Sequence, residues 1–207
     1  WNSRCIAFPL FAFQIAEGFA RTHDRKRYLL RMLVFALISE IPFNYLYYSS
    51  PVFPFHQNVM FTFFIARLLM LGLEKVRSKG AGLYILAALI SLPVGYFLGT
   101  VGMVDYYGSG VVTVLIFYLC RQIPYGWIGE VAGLAFLNCK LLGGMTIPLT
   151  LGSWTLEFPE QGLALLALIP IWLYNGRQGA HNKAIQYACY AFYPAHMLIL
   201  ALLRMYL

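Results

Sequence analysis

The chain has 207 residues, of which 60% are hydrophobic, 17% aromatic and only 11% charged. Soluble domains carry about 25% charged residues, so this composition excludes a water-soluble globule. The formal net charge is +7. Because membrane proteins concentrate Lys and Arg in short cytoplasmic loops, this excess indicates a lipid bilayer, and no nucleic acid, as the partner.

The length and the apolar runs predict a single all-α polytopic transmembrane domain over residues 1–207. A bilayer-spanning helix uses about 20 residues. Apolar runs bounded by charged or turn residues predict eight spans, at residues 4–20, 28–49, 59–73, 82–104, 107–120, 126–142, 161–174 and 186–207. A further helix before Trp1 would make nine. Residues 143–160 are broken by Gly, Pro and Thr, and they predict an interfacial or re-entrant loop.

The basic residues predict the orientation of these helices. If the loop around residues 21–31 is cytoplasmic and the helices alternate, 11 of the 15 basic residues lie in cytoplasmic segments. The other four lie within spans or at their outer ends: Arg4, Arg67, Lys140 and Arg204. The opposite orientation would put all eleven outside, so we expect the basic loops to face the cytoplasm.

Two carboxylates fall within predicted spans, where ionisable groups are costly and therefore candidates for function. Glu17 lies one turn from the inner end of the first span, and Glu40 lies in the middle of the second. Each could instead form a structural salt bridge with Arg4, Arg31 or Arg67. Arg67 itself is expected to extend toward the inner interface.

Other polar residues lie near the predicted outer face or within the last span. Asn58 is expected to cap the third helix. His56 lies in the loop before it, and Asp105 begins a turn sequence after the fourth span. His196 lies near the middle of the last span and could either bind a neighbouring helix or act as a base. The four cysteines are scattered singly and predict neither a disulfide framework nor a metal site.

Short segments along most of the chain carry a family resemblance. They are RCIAFPLFAF (4–13), EGF (17–19), YLLR (28–31), FALISEIPF (35–43), NVMFT (58–62), DYYG (105–108), YNG (174–176) and FYPAH (192–196). In this order they resemble the TraX family of integral membrane proteins. The family takes its name from a conjugation protein that acetylates the amino terminus of pilin. Its members are similar to transmembrane acyltransferases that use cytosolic acyl-CoA.

The resemblance implies a function and a location. The donor would be acetyl-CoA, and the acceptor would be a protein amine or a glycan or lipid hydroxyl on a membrane-associated or extracytoplasmic molecule. The membrane would be the bacterial cytoplasmic membrane. Two alternatives remain open from the residues alone: a small proton-coupled transporter in which Glu17 and Glu40 form a relay, and a non-catalytic membrane scaffold.

Acyl transfer requires a base, a donor for the developing oxyanion and a site for the donor's phosphates. The expected catalytic residues are His196, Glu40 and Asp105, with Glu40 and His196 facing one cavity. The basic residues expected to bind the CoA phosphates are Arg21, Arg25, Lys26, Arg27 and Arg31. The residues expected to line a tunnel or contact substrate are Arg4, Glu17, Asn58, His56 and Tyr193.

The orientation can be tested by thiol labelling. Single cysteines replacing His56 and Asp105 in a cysteine-free background should react with a membrane-impermeant reagent from outside. Those replacing His23 and His181 should react only after permeabilisation, because these positions lie in predicted cytoplasmic loops. The reverse labelling pattern would show that the orientation is wrong.

Overall fold

The computed structural model describes residues 2–142, 146–151, 154–177 and 183–206, which form mainly helices. In chain order the α-helices are α1 (Asn2–Arg21), α2 (Arg25–Tyr48), α3 (Val59–Arg77), α4 (Ala81–Val101), α5 (Tyr107–Cys120), α6 (Gly126–Phe136), α7 (Leu168–Leu173) and α8 (Lys183–Tyr206). A π-helical turn, Leu137–Leu141, extends α6, and a 3-10 helix, Glu160–Ala167, leads into α7. Between them lie two strands, β1 (Thr146–Leu151) and β2 (Trp154–Pro159).

Local sequence sets where the first helices begin and end. Asp24 caps α2 by accepting from the backbone N–H of Arg27 at 3.0 Å. Ser49 ends the same helix in a left-handed conformation, with its N–H bonded to the carbonyl of Tyr45. Asn58 caps α3 by accepting from the N–H of Met60 at 2.9 Å, so the predicted N-cap is confirmed.

The short helix α5 lies at the centre of the bundle. Most of its residues are buried, including Val111, Val114, Leu115 and Phe117, and it packs against α1, α3, α4 and α6. Glycine allows the closest approach to α4. A Cβ at Gly99 would lie 2.7 Å from the backbone oxygen of Tyr107, and one at Gly108 would overlap the carbonyl of Tyr96.

The helices that could span a membrane lie at the edge of the bundle. Of the described helices, three are long and apolar enough to cross a membrane, over Arg25–Tyr48, Ala81–Val101 and Tyr187–Met205. Their outward faces carry exposed Leu, Ile and Phe side chains, as expected of helices that face lipid. The helical membrane-protein class is therefore confirmed, whereas the count of eight spans is not: α5 and Glu160–Leu173 are shorter, and α1 and α3 are long enough but fall short of the required hydropathy or low charge.

Helices α2 and α8 run side by side in the same direction. Near their amino-terminal ends, the ring of Tyr190 stacks on Phe35 with centroids 5.0 Å apart. Toward their carboxyl ends, the guanidinium of Arg204 donates to the carbonyl of Leu46. This pairing agrees with the predicted alternation, in which both helices cross from the basic side outward.

The loop predicted at residues 143–160 contains an antiparallel hairpin. Its register pairs Thr146 with Pro159 and Leu151 with Trp154. The prediction treated Thr, Pro and Gly as helix breakers, although Thr, Ile, Trp and Phe also favour strands. Proline is tolerated because both strands of a two-stranded sheet are edges.

We expect Gly108→Ala to lower the free energy of unfolding by about 1–3 kcal/mol, because the added methyl forces α4 and α5 apart. Gly72→Ala is the matched control, since a Cβ at Gly72 would meet no atom within 4 Å. Alanine favours helix, so the control should be neutral or stabilising by up to about 1 kcal/mol. Unfolding in mixed detergent micelles measures both, and equal effects would contradict the close α4–α5 packing.

Candidate functional site

Polar side chains of the described residues gather at opposite ends of the bundle. We call these the basic end, around Glu17, Glu74 and Arg121, and the histidine end, around Glu40, His56 and Asp105. Along α3, Asn58 and Glu74 are 16 residues apart, or about 24 Å at the helical rise. The two ends are therefore separated by most of the thickness of a bilayer core.

At the basic end, Glu17 joins three parts of the chain. Its carboxylate pairs with Arg21 at 2.9 Å and with Arg121, which follows α5. Arg21 also donates to the carbonyl of Gly176 at 2.7 Å. Glu17 is thus a structural ion-pair partner of Arg21, one turn along α1, and of Arg121, and among the described groups it pairs with neither Arg31 nor Arg67, which the sequence also offered.

Glu74 holds the neighbouring part of the basic end. It accepts from the hydroxyl of Tyr118 at 2.6 Å and from Arg25 at 3.2 Å, and Arg77 lies 3.6 Å away. This carboxylate therefore links α2, α3 and α5. The sequence analysis did not single it out, since a Glu next to basic residues at a helix end is typical of a solvated surface.

The five basic residues expected to bind phosphates have different surroundings. Arg21 and Arg25 are engaged in the ion pairs above, and Arg27 pairs with Asp24 at 3.0 Å. Lys26 is exposed, and Arg31 is half-buried deeper in the bundle. Exposed Lys75 and Lys79 add positive charge at the same end. The basic end thus has solvent-accessible cations that could attract phosphates. Of the five residues predicted for this role, only Lys26 is both exposed and outside the ion pairs described here.

At the histidine end, Glu40 is bound by the cap of α3. One carboxylate oxygen, Oε2, accepts from the Asn58 side chain at 2.6 Å and from the Asn58 backbone N–H at 3.3 Å. The same amide donates to the carbonyl of Ala36 at 2.9 Å. One asparagine therefore caps α3 and binds the carboxylate of α2.

His56 lies between a phenol and a carboxylate. The hydroxyl of Tyr48 is 2.6 Å from Nδ1, and an oxygen of Asp105 is 3.6 Å from Nε2. The ring packs edge-on against Phe43, with centroids 5.5 Å apart. The sequence placed His56 and Asp105 at the same end of the bundle, and the structure confirms this while adding Tyr48.

Backbone pairing fixes Asp105 beside the histidine loop. The N–H of Gln57 donates to Met103 at 2.8 Å, and the N–H of Asp105 donates to Gln57 at 2.9 Å. The hydroxyl of Thr62 donates to the carbonyl of Asp105 at 2.7 Å. Tyr106 adopts a left-handed φ of 60°, a conformation that is uncommon for residues other than glycine and common at functional sites.

The last helix contributes Tyr193 but places His196 elsewhere. Tyr193 is half-buried and lies within electrostatic range of Asp105 and Glu40. His196 is exposed, and its ring stacks on the exposed Phe192 with centroids 5.7 Å apart. The expected shared cavity of Glu40 and His196 is not formed, because α8 turns its Tyr193 side toward α2.

The side chains of two residues named in the sequence analysis are not among those that the structure describes. Arg4 lies on α1, outside the residues whose side chains the structure describes, and His181 lies outside the described residues altogether.

The sequence analysis also misjudged Arg67. This residue does not extend to the interface, and only 1% of it is exposed.

Comparison with known proteins agrees with the segments quoted above. The family model described as TraX protein matches residues 4–204. The chain belongs to the TraX family. A relative in Dichelobacter nodosus, named "Probable fimbrial assembly protein FimC, serogroup H1", is 26% identical over 225 residues, which cover 100% of this chain and 86% of the relative. No solved structure matches the chain.

The histidine end of this TraX-family chain can support proton transfer. A carboxylate near Nε2 favours a proton on that nitrogen, which leaves Nδ1 as an acceptor facing the Tyr48 hydroxyl. Phe43 and Tyr107 shield the ring. Glu40 adds a negative charge that is only partly compensated by hydrogen bonds. These are groups that can bind a cationic or amine substrate and remove its proton.

We expect Asn58→Ala to lower the stability of the TraX-family chain by about 2–4 kcal/mol, because it removes the cap and the shorter of the two hydrogen bonds from residue 58 to the Glu40 carboxylate. Asn138→Ala is the matched control, since this buried amide donates only to the carbonyl of Leu134 among the described groups. Its cost should be about 1 kcal/mol.

A second variant separates capping from carboxylate binding. Asn58→Asp keeps the cap acceptor and places a second carboxylate beside Glu40, so it should be at least as unstable as Asn58→Ala. Unfolding in mixed micelles measures all three variants. Native stability in Asn58→Asp would mean that only the cap matters.

Proposed function

We propose that this protein is a transmembrane acetyltransferase that acts in fimbrial or pilin assembly. The observation that carries the proposal is the His56 imidazole held between the Tyr48 hydroxyl and the Asp105 carboxylate. Family membership and the name of the fimbrial relative support it. The basic end faces the cytoplasm of a bacterium, and the histidine end faces the outer side of its inner membrane.

His56 is the general base in this proposal, in place of His196. The Tyr48 hydroxyl gives its proton to Nδ1 and takes one from the acceptor amine, while Asp105 stabilises the imidazolium that forms. The amine nitrogen bonds to the acetyl carbon, and the C–S bond of the thioester breaks. The sulfur leaves with the electron pair of that bond and then takes up a proton.

Buried oxygens that lack a hydrogen-bond donor favour an amine over a hydroxyl as the group that receives the acetyl. Among the described groups, Oε1 of Glu40 and Oδ1 of Asn44 are buried and lack a hydrogen-bond partner. Asn44 follows Glu40 by one helical turn, so both oxygens lie on the same side of α2. Buried acceptors need donors, and a neutral amine supplies two where a hydroxyl supplies one. The terminal amine of a pilin-like subunit fits this requirement.

Acetyl-CoA, as the donor, supplies the activated acetyl group. Its phosphates are attracted to the exposed cations of the basic end, including Lys26, Lys75 and Lys79. Because the two ends are about 24 Å apart, the acetyl group must travel along the bundle to reach His56. The reaction thus requires a path between the helices.

The test is acetyl transfer by purified protein in nanodiscs, given acetyl-CoA and a short peptide with a free amino terminus. We expect His56→Ala to lower kcat about 10²-fold or more, and Asp105→Asn to lower it by a smaller factor. His23→Ala, in the exposed basic loop, is the matched control and should retain activity.

Two further measurements make the result decisive. Glu40→Gln should raise KM for the peptide more than it lowers kcat, if Glu40 binds the amine. A peptide with a blocked amino terminus should release no CoA above background. Full activity in His56→Ala, or loss of activity only in His196→Ala, would contradict the assignment of the base.

A further inference from the structure

A buried arginine lies between the two ends. Arg67, in the middle of α3, is 1% exposed and is among the largest fully buried side chains of the described residues. It lies seven residues from Glu74 and nine from Asn58, or about 10 Å and 13 Å along the helix. Because arginine stays charged at any physiological pH, this site holds a full positive charge inside the bundle.

The described surroundings of Arg67 compensate that charge poorly. Its guanidinium carbon lies 3.1 Å from the ring centroid of Tyr28 and 5.8 Å from that of Phe19. One terminal nitrogen reaches the carbonyl of Ile15 at 3.5 Å, the upper limit for a hydrogen bond. Its Nε is buried and has no partner among the described groups.

A second arginine faces the same ring. The guanidinium carbon of Arg31 lies 5.8 Å from the Tyr28 centroid, and its Nε is also buried without a described partner. Tyr190 of α8 closes the cluster, with its ring 6.2 Å from that of Tyr28 and its hydroxyl beside Arg31. Two cations and two phenols thus meet in one place.

No carboxylate of the described chain neutralises this cluster. The ion pairs among the described residues are formed by Glu17, Asp24, Glu74 and Asp105. None of these pairs includes Arg67 or Arg31. Glu40 is bound to Asn58, and Glu130 accepts from Trp172 at the other side of the bundle. A buried cation beside a half-buried one is costly without a carboxylate, and an anion from outside the chain would remove that cost.

We propose that Arg67 and Arg31 bind a phosphate group inside the helix bundle. Two guanidinium forks match the charge of a phosphate dianion. A carboxylate would leave one positive charge unpaired. The phosphate belongs either to a soluble phosphate compound that enters from the basic end or to a lipid headgroup.

Gly18 of α1 lies directly against the donors of the cluster. A Cβ at this position would lie 3.4 Å from the Tyr28 hydroxyl and 3.7 Å from a terminal nitrogen of Arg67. A longer side chain would extend between these donors and occupy the place of an anion. Gly18→Leu therefore blocks the site while both arginines remain.

The test is thermal unfolding of the purified chain in phosphate-free neutral detergent, with sodium pyrophosphate added at constant ionic strength. The wild type should show a saturable rise in Tm of about 5 °C at a hundredfold excess over Kd. Arg67→Met and Gly18→Leu should lose this rise. The matched controls Arg204→Met and Gly72→Leu should keep it, because both positions are exposed, a Cβ at Gly72 would meet no atom within 4 Å, and Arg204 binds the carbonyl of Leu46 instead.

The unliganded proteins give a readout that a purely structural role would not produce. Without an anion, Arg67→Met should unfold at the same or a higher temperature than the wild type, because it removes an uncompensated buried charge while retaining apolar packing. A lower Tm for Arg67→Met, together with equal pyrophosphate responses in wild type and variants, would overturn the proposal. Gly18→Leu decides the outcome if Arg67→Met does not fold.

Two arms identify the source of the phosphate. If it is soluble, CoA should raise Tm in an Arg67-dependent manner and pantetheine, which lacks phosphate, should not. If it is a lipid, nanodiscs of phosphatidylglycerol should stabilise the wild type over Arg67→Met more than nanodiscs of a zwitterionic lipid with a shielded phosphate. Pyrophosphate binding without a CoA response leaves the anion site standing and counts against the acetyltransferase. If pyrophosphate, CoA and phosphatidylglycerol all fail to stabilise the wild type more than Arg67→Met, the anion site is refuted.

Discussion

The hydrogen bonds between Asn58 and Glu40 are the interaction on which the histidine end depends. A carboxylate inside an apolar bundle needs donors, and the cap residue of the next helix supplies two of them. Since the same side chain also starts α3, the position of α3 along α2 is fixed by the carboxylate. His56 and Gln57 immediately precede the cap, so their placement beside Asp105 follows from it.

The bundle separates its polar and apolar groups in a way opposite to that of a soluble protein. Its long apolar helices α4 and α8 lie outside with large hydrophobic side chains exposed, while polar groups such as Arg67, Asn58 and Thr62 are fully buried. Lipid solvates the outside and supplies no hydrogen bonds there, so polar groups need their partners inside the bundle. The carboxylates Glu17 and Glu74 perform this role at the basic end, and Glu40 does so at the histidine end.

Helix positions and the shared end of His56 and Asp105 could be predicted because hydrophobic runs and loop charges are local properties of the sequence. The side of a helix that faces its neighbours is not local. Within α8 the sequence offers Tyr193 and His196 almost equally, and only the packing on α2 selects Tyr193. Likewise, Arg67 resembles an interfacial arginine in sequence, and its burial depends on Tyr28 and Phe19 from other helices. The hairpin was missed because residues that break helices also form strands.

The side-by-side packing of α2 and α8 has a consequence for how the protein is made. A ribosome delivers α2 to the membrane long before α8. In the folded chain, however, Tyr190 of α8 stacks on the Phe35 ring of α2, and Arg204 donates to the carbonyl of Leu46. During synthesis this flank of α2, with its arginine and tyrosines, is therefore open to lipid or to the insertion machinery. Chains that stop before α8 keep a polar stripe facing the bilayer, which is a signal that membrane quality-control proteases can recognise.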